Sequence, residues 1–139
     1  PDPDPGASMA AMIIGNGIDL AEPARLQKAC ERRGRRLLER LFTAAERADC
    51  ERSLDPWPRY ASRFAAKEAF LKAMGTGLRE GMSWLDIEVR KNALGKPELK
   101  LSGRAAELAA ERGVRRLHLS LSDLPAISAA SVVIEGEAP

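Results

Sequence analysis

Cysteine is scarce: Cys30 and Cys50 are the only two in 139 residues. Their spacing fits neither a C-x-x-C pair nor a zinc pattern, which excludes a disulfide scaffold and leaves two reduced thiols, as in a cytosolic protein. No apolar run approaches the ~20 residues that span a bilayer, so no membrane segment is expected. The start lacks a basic region followed by an apolar one, so no export signal is expected either, and a cytoplasmic location follows. His118 is the sole histidine, and it reads better as a core or interface residue than as a general base. Net charge is only +2 and aromatics make up 4%, which argues against a general polyanion binder or a nucleic-acid module.

What is present suits one domain, since a chain of this size buries roughly two-thirds of its unfolded surface. Pro1–Ser8 reads P-D-P-D-P-G-A-S, which builds neither a helix nor a ladder. Residues 1–11 are expected to be a disordered tail, native or appended, and 12–139 a single domain. Met12–Ile18 predicts a first strand, in which Gly15 and Gly17 mark close approach by a neighbour. Asp19 follows where that strand should end, and Glu22-Pro23 opens a helix. The apolar stripe Leu26, Ala29, Cys30, Leu37, Leu38 and Leu41 continues it, with a break at Gly34. Thr43-Ala-Ala-Glu46 is a capping box. Asp55–Pro58 interrupts the chain before a main helix from about Tyr60 to Met74, with Gly75 as its C-terminal cap. Leu85, Ile87 and Val89 alternate with Asp86, Glu88 and Arg90, predicting a half-buried strand that returns through Asn92–Gly95 into Pro97–Leu101. Ser102 should start a helix that Gly113 ends. Strands through Leu117–Leu121 and Ala129–Glu135 close the chain. The order β-α-α-α-β-β-α-β-β predicts an α+β fold: a small, largely antiparallel sheet with packed helices and edges that invite oligomer contact.

The densest stretch is Arg63–Gly77, R-F-A-A-K-E-A-F-L-K-A-M-G-T-G. Glu68 lies between Lys67 and Lys72, and Lys72, at i+4, shares its helical face. Such a turn suits a metal ion bridged to phosphate. Ile14–Glu22 supplies a second carboxylate, Asp19. Magnesium takes one or two protein carboxylates and completes its shell with water and phosphate oxygens. Asp19 and Glu68 are the right number, and together they suggest a magnesium-dependent enzyme acting on a phosphate-bearing cofactor. Plainer roles stay open: a helix N-cap for Asp19, a surface pair for Glu68 and Lys72, and ordinary turns for Gly75-Thr76-Gly77 and Gly95-Lys96-Pro97. Gly75-Thr76-Gly77 lacks the Walker pattern. Ser120 and Ser122 have no G-x-S-x-G context and no credible base, which argues against a serine hydrolase. Between Arg25 and Arg40 seven basic residues face two acidic ones, a surplus larger than the net charge of the whole chain. A basic helix also suits nucleic acid, but that reading leaves Asp19, Glu68 and the Lys/Gly spacing unused.

With these residues in view, the sequence resembles the holo-[acyl-carrier-protein] synthases, the short bacterial 4'-phosphopantetheinyl transferases, over nearly everything from Met12 to Glu135. The family pattern G-x-G-x-D stands as Gly15-Asn16-Gly17-Ile18-Asp19, and R-F-A-x-K-E-A-x-x-K-A-x-G-T-G as Arg63–Gly77. Asp86-Ile87-Glu88-Val89, Gly95-Lys96-Pro97 and His118-Leu119-Ser120-Leu121-Ser122 match further motifs in order. Three positions depart: Asp123 where many relatives have histidine, Asn16 where an aliphatic residue is usual, and Ile127 near a common tyrosine.

The resemblance implies coenzyme A as donor and acyl carrier protein as acceptor. A carrier serine attacks the β-phosphorus, phosphopantetheine is transferred, and adenosine 3',5'-bisphosphate leaves, a step that serves fatty acid biosynthesis. It implies Asp19 and Glu68 as ligands of Mg2+, and Lys72 as the cation that neutralises the pyrophosphate. Either a metal-bound water or Glu68 would take the serine proton. It further implies a cytoplasmic homotrimer with sites between subunits. In that arrangement Arg63, Lys72, Gly75, Thr76 and Gly77 would meet coenzyme A together with Lys96, Pro97, Leu121, Ser122 and Asp123 of the adjoining chain. Arg25, Lys28, Arg32 and Arg35, spaced i+3, i+4 and i+3, would form one face for the acidic carrier.

Overall fold

The computed structural model describes residues 11–137; of the expected tail, all but Ala11 lies outside them. The chain runs β1 (Met12–Ala21), α1 (Pro23–Arg33), α2 (Arg35–Leu41), α3 (Ala44–Cys50) and α4 (Trp57–Met74). A 3-10 turn (Trp84–Asp86) leads to β2 (Ile87–Lys91), β3 (Pro97–Leu101), α5 (Gly103–Glu111), β4 (Val114–Asp123) and β5 (Ser128–Gly136). The α+β class is as expected, but the strands form two antiparallel sheets, β1-β5-β4 and β2-β3, rather than one.

The α4 helix lies against the inner face of β1 and β5. Alanines make this possible: Ala65, Ala66 and Ala69 are buried on the helix, opposite Ala130, Val132 and Ile134 of β5. The two strand glycines take the contact closer still. A Cβ built on Gly15 would stand 2.3 Å from the Ala73 carbonyl oxygen, and one on Gly17 would stand 2.1 Å from that of Ala69. The close approach inferred from G-x-G is therefore the helix backbone itself. A second apolar cluster, with Leu41, Phe42, Cys50 and Tyr60 at its centre, holds α1–α3 against the start of α4. The Thr43–Glu46 capping box forms in full, and Gly75 caps α4 in the left-handed conformation.

Three local expectations fail for physical reasons. β1 continues through Asp19 to Ala21, because Asp19 is still paired in register with Ala130; the N-cap position of α1 falls to Glu22, without a side-chain bond. α4 starts at Trp57, since Pro58 sits in its first turn, where a missing N–H leaves nothing unsatisfied. The apparent alternation at Leu85–Arg90 does not belong to one strand. Leu85 and Asp86 lie in the 3-10 turn, capped by Ser83, and Leu85 is exposed. Glu88, expected outside, is buried and paired with Arg90. Ser102 holds the N-cap position of α5 without a side-chain bond.

Candidate active site

The long helix carries chemistry on two opposite sides. On the outer side Lys72 donates to Asp19, Nζ to Oδ1 at 2.7 Å, and to the Ile18 carbonyl at 3.1 Å. Because β1 is clamped to α4 through its glycines, Asp19 reaches the helix from within the strand. Glu68 is half-buried beside this pair. Burial raises its proton affinity first and the Asp19 charge raises it further, against a smaller opposing effect of Lys72. The hydrogen bond to Asp19 in turn holds the Lys72 ammonium above its usual range.

Glu68 stands between two clefts. The larger, of about 780 Å³, runs past Asp19, Arg25, Arg32, Arg33 and Phe64. The smaller, of about 300 Å³, is bordered by Glu68, Lys72, Gly75, Gly77, Leu78 and Trp84. Burial and the neighbouring Asp19 charge make Glu68 costly to ionise, a cost that a hard cation would relieve, so Asp19 and Glu68 fit a magnesium ion. Among the described residues no group of three or more His, Cys, Asp or Glu could form an all-protein cage. A cation here would therefore complete its shell from water and phosphate.

On the inner side of α4, Lys67 is fully buried and ion-paired with Glu46 at 2.7 Å. It cannot flank Glu68 toward a phosphate, because successive helical residues diverge by about 100°. Arg63 is also nearly buried, 4% exposed, bonded to Asp49 at 2.8 Å with Asp123 3.8 Å away. Burial pushes the Asp49 carboxyl up, but Arg63 and Lys91 together hold it below the usual range. Arg63 and Asp123 thus meet in one chain, in a cluster apart from the clefts. Thr76 is buried, and its hydroxyl has no partner among the described residues. Lys96, Pro97, Leu121 and Ser122 border neither cleft. Of the four basic residues expected on one face, Arg25 and Arg32 border the larger cleft, and Arg33 joins them. Lys28 does not, and Arg35 lies beyond the helix break at Gly34, on α2.

Comparison with known proteins decides the family. A profile described as the 4'-phosphopantetheinyl transferase superfamily matches residues 15–126. A holo-[acyl-carrier-protein] synthase of Geobacter sulfurreducens is 50% identical over 124 residues, 89% of this chain and 98% of that one. The chain belongs to the holo-[acyl-carrier-protein] synthase family. The synthase of Solibacter usitatus is 46% identical, over 89% of this chain and 99% of its own. Among solved structures, the synthase from Neisseria meningitidis matches with a TM-score of 0.81 at 36% identity, covering 88% of this chain and 98% of that one. The synthase from Bacillus anthracis, solved in complex with CoA (3',5'-ADP), matches at 0.73 and 37% identity, over 91% of this chain and 100% of that one. As in its relatives, the chain is a synthase of the phosphopantetheinyl transferase type, with β1 from Gly15 onward, α1 and the whole of α4 inside the matched span.

Sequence reasoning missed Trp84 and Arg33 as cleft residues. Trp84 had a signal, as an aromatic residue just before a strand motif. Arg33 had none, because it is off the i+3/i+4 spacing of Arg25, Lys28 and Arg32.

Proposed function

We propose that this protein transfers the 4'-phosphopantetheine group of coenzyme A to a serine of apo acyl carrier protein, in the cytoplasm and in support of fatty acid biosynthesis. The observation that carries this reading is the Asp19–Glu68–Lys72 group, set between a basic-rimmed groove and a smaller slot. The slot takes the donor and the groove takes the carrier, so the two reactants meet at Glu68. The carrier serine oxygen bonds to the β-phosphorus as the phosphorus–oxygen bond to the leaving group breaks. The electron pair departs with adenosine 3',5'-bisphosphate.

Asp19 and Glu68 would hold Mg2+, which when bound neutralises pyrophosphate charge and orients the phosphoryl group. The remaining work falls to the chain's own side chains. Lys72 stabilises negative charge that develops on the leaving group, a term that grows in the transition state and so accelerates the step. Glu68, at the meeting of the two clefts, is placed to receive the serine proton. Burial of the β1–α4 contact fixes the two carboxylates on rigid elements, which is where positioning-dependent chemistry is best placed.

The reading includes a homotrimer. Lys96, Pro97, Leu121 and Ser122 border neither cleft within one chain, and in this reading a neighbouring copy supplies them, whereas Asp123 stays beside Arg63 of its own chain. The outer face of the β1-β5-β4 sheet, where Ile18 and Leu20 are exposed, offers apolar surface for such contact. No helix among the described residues is long and apolar enough to cross a membrane. A thermal-shift series tests the donor assignment: coenzyme A with magnesium should raise Tm, and duplex DNA should not. A Tm that responds to DNA alone would overturn it.

A further inference from the structure

Lys67 and Glu46 are charged, fully buried, and have no part in the chemistry just described. An isolated buried ion pair seldom adds stability over an apolar replacement, so its hydrogen-bond partners are the informative feature. The Glu46 carboxylate is a junction. One oxygen accepts from Lys67 Nζ at 2.7 Å and from the Thr43 N–H at 2.9 Å; the other accepts from the Val89 N–H at 2.9 Å. Lys67 spends a second hydrogen on the Trp84 carbonyl, at 3.0 Å. One pair therefore joins α3, α4, the 3-10 turn and β2.

Trp84 is where these bonds matter. It follows Gly75–Ser83, a segment with left-handed backbone at Gly75, Gly77, Glu80 and Gly81 and exposed side chains except at Thr76 and Met82. Its side chain is only partly buried, packs against both apolar clusters, and stands 5.1 Å from the Phe64 ring. It also lines the small cleft together with Glu68 and Lys72. The tryptophan thus lies at the seam of two clusters, at the end of a loosely bonded strap. The Lys67 bond comes from the residue next to Glu68, so one helical turn sets both the carboxylate and the tryptophan that lines its cleft.

We infer that the buried Lys67–Glu46 pair is a positioning device that holds Trp84 as the wall of the donor cleft at a fixed distance from Glu68 and Lys72. The inference rests on the reading of that cleft as the coenzyme A side. Lys67 and Glu46 touch no substrate and act through Trp84.

The test uses a Trp57→Phe background, in which Trp84 is the single tryptophan. Lys67→Met leaves Glu46 buried and unpaired, so the double variant Glu46→Gln/Lys67→Met, which removes both charges at similar volume, carries the comparison. The account expects red-shifted and more quenchable Trp84 fluorescence. Since small misplacements in a site are costly, it also expects a coenzyme A KM raised about tenfold with the carrier KM within about twofold. Unmoved fluorescence with an unchanged coenzyme A KM in a folded double variant would overturn it, leaving the pair purely structural. An equal rise in both KM values would also overturn it, as general loosening of α4. Trp84→Leu in the native chain is a second arm: it must raise the coenzyme A KM selectively, and an unchanged value refutes the role of the wall. If the parent chain transfers nothing, the donor reading fails and fluorescence decides the anchor alone: a moved Trp84 supports it and an unmoved one rejects it.

Discussion

Replacing Gly17 with alanine adds one methyl group where, among the described glycines, an added Cβ meets its nearest neighbour. The new Cβ would lie 2.1 Å from the Ala69 carbonyl oxygen and 2.9 Å from the Ala73 nitrogen. Those two atoms are the acceptor and donor of one turn of α4, so the methyl strikes a helix hydrogen bond and cannot be relieved by a side-chain rotation. Bringing 2.1 Å out to an ordinary contact near 3.4 Å requires β1 and α4 to separate by roughly 1.3 Å. Overpacking of this kind costs about 1–3 kcal/mol, a fall in Tm of roughly 3–10 °C for a chain of this size. The functional cost is larger. Asp19 lies two residues along the same strand face, and Glu68 and Lys72 sit beside the contact on the helix, so the separation carries one carboxylate away from the other. A misplacement of about 1 Å in a positioned site can cost about 100-fold. Purified Gly17→Ala, assayed for carrier modification and for thermal unfolding, should therefore lose far more activity than its Tm suggests. Near-normal turnover in a folded variant would refute the claim that the β1–α4 approach sets the site.

Other expectations concern the charges themselves. Asp19→Ala, Glu68→Ala and Lys72→Ala should each lower kcat about 100-fold or more while circular dichroism stays unchanged, because each removes charge stabilisation at the phosphates; a Lys72 effect confined to carrier KM would contradict its role. Glu68→Gln should stabilise the metal-free protein at neutral pH. A raised carboxyl pKa means that the folded state binds more protons than the unfolded one, so the wild type loses stability as pH rises from the ordinary value of 4.5 through the folded one. The gain in Tm over wild type should shrink as pH is lowered toward that value, and a gain that instead grows at low pH would refute the assignment. Arg25→Glu and Arg32→Glu should raise carrier KM and leave coenzyme A binding intact, with added salt bringing the wild type toward the variants, since exposed charges are screened beyond roughly 8–10 Å. By their place outside the groove, Lys28→Glu and Arg35→Glu should do less than Arg33→Glu in the same titration.

The features legible in the sequence are those that depend on neighbouring residues alone. Gly15 and Gly17 announced a close backbone approach because only a missing Cβ permits one, and Thr43–Glu46 announced a cap because its bonds span three residues. The R-F-A-A-K-E-A-F-L-K run was legible as a helix, and i,i+4 spacing put Glu68 and Lys72 on one side. What escaped depends on tertiary partners. Lys67 reads like Lys72 until Glu46, 21 residues away, claims it inside the protein. Arg63 likewise spends its guanidinium on Asp49, a pairing that no local pattern discloses. Glu88 sits in an apparently solvent-facing register, but that face of β2 is covered as well, so Ile87, Glu88 and Val89 are all buried. The break at Gly34 was legible, but the basic face was still drawn across it; Gly34, at φ 79° and ψ −174°, ends α1 and leaves Arg35 on α2.

The most direct measurement is the intact mass of an apo acyl carrier protein incubated with this protein, coenzyme A and magnesium. The account predicts one phosphopantetheine added per carrier, with none added when Asp19→Ala/Glu68→Ala replaces the wild type or when the carrier serine is changed to alanine. An unmodified carrier, under conditions in which an active relative converts the same sample, would contradict it.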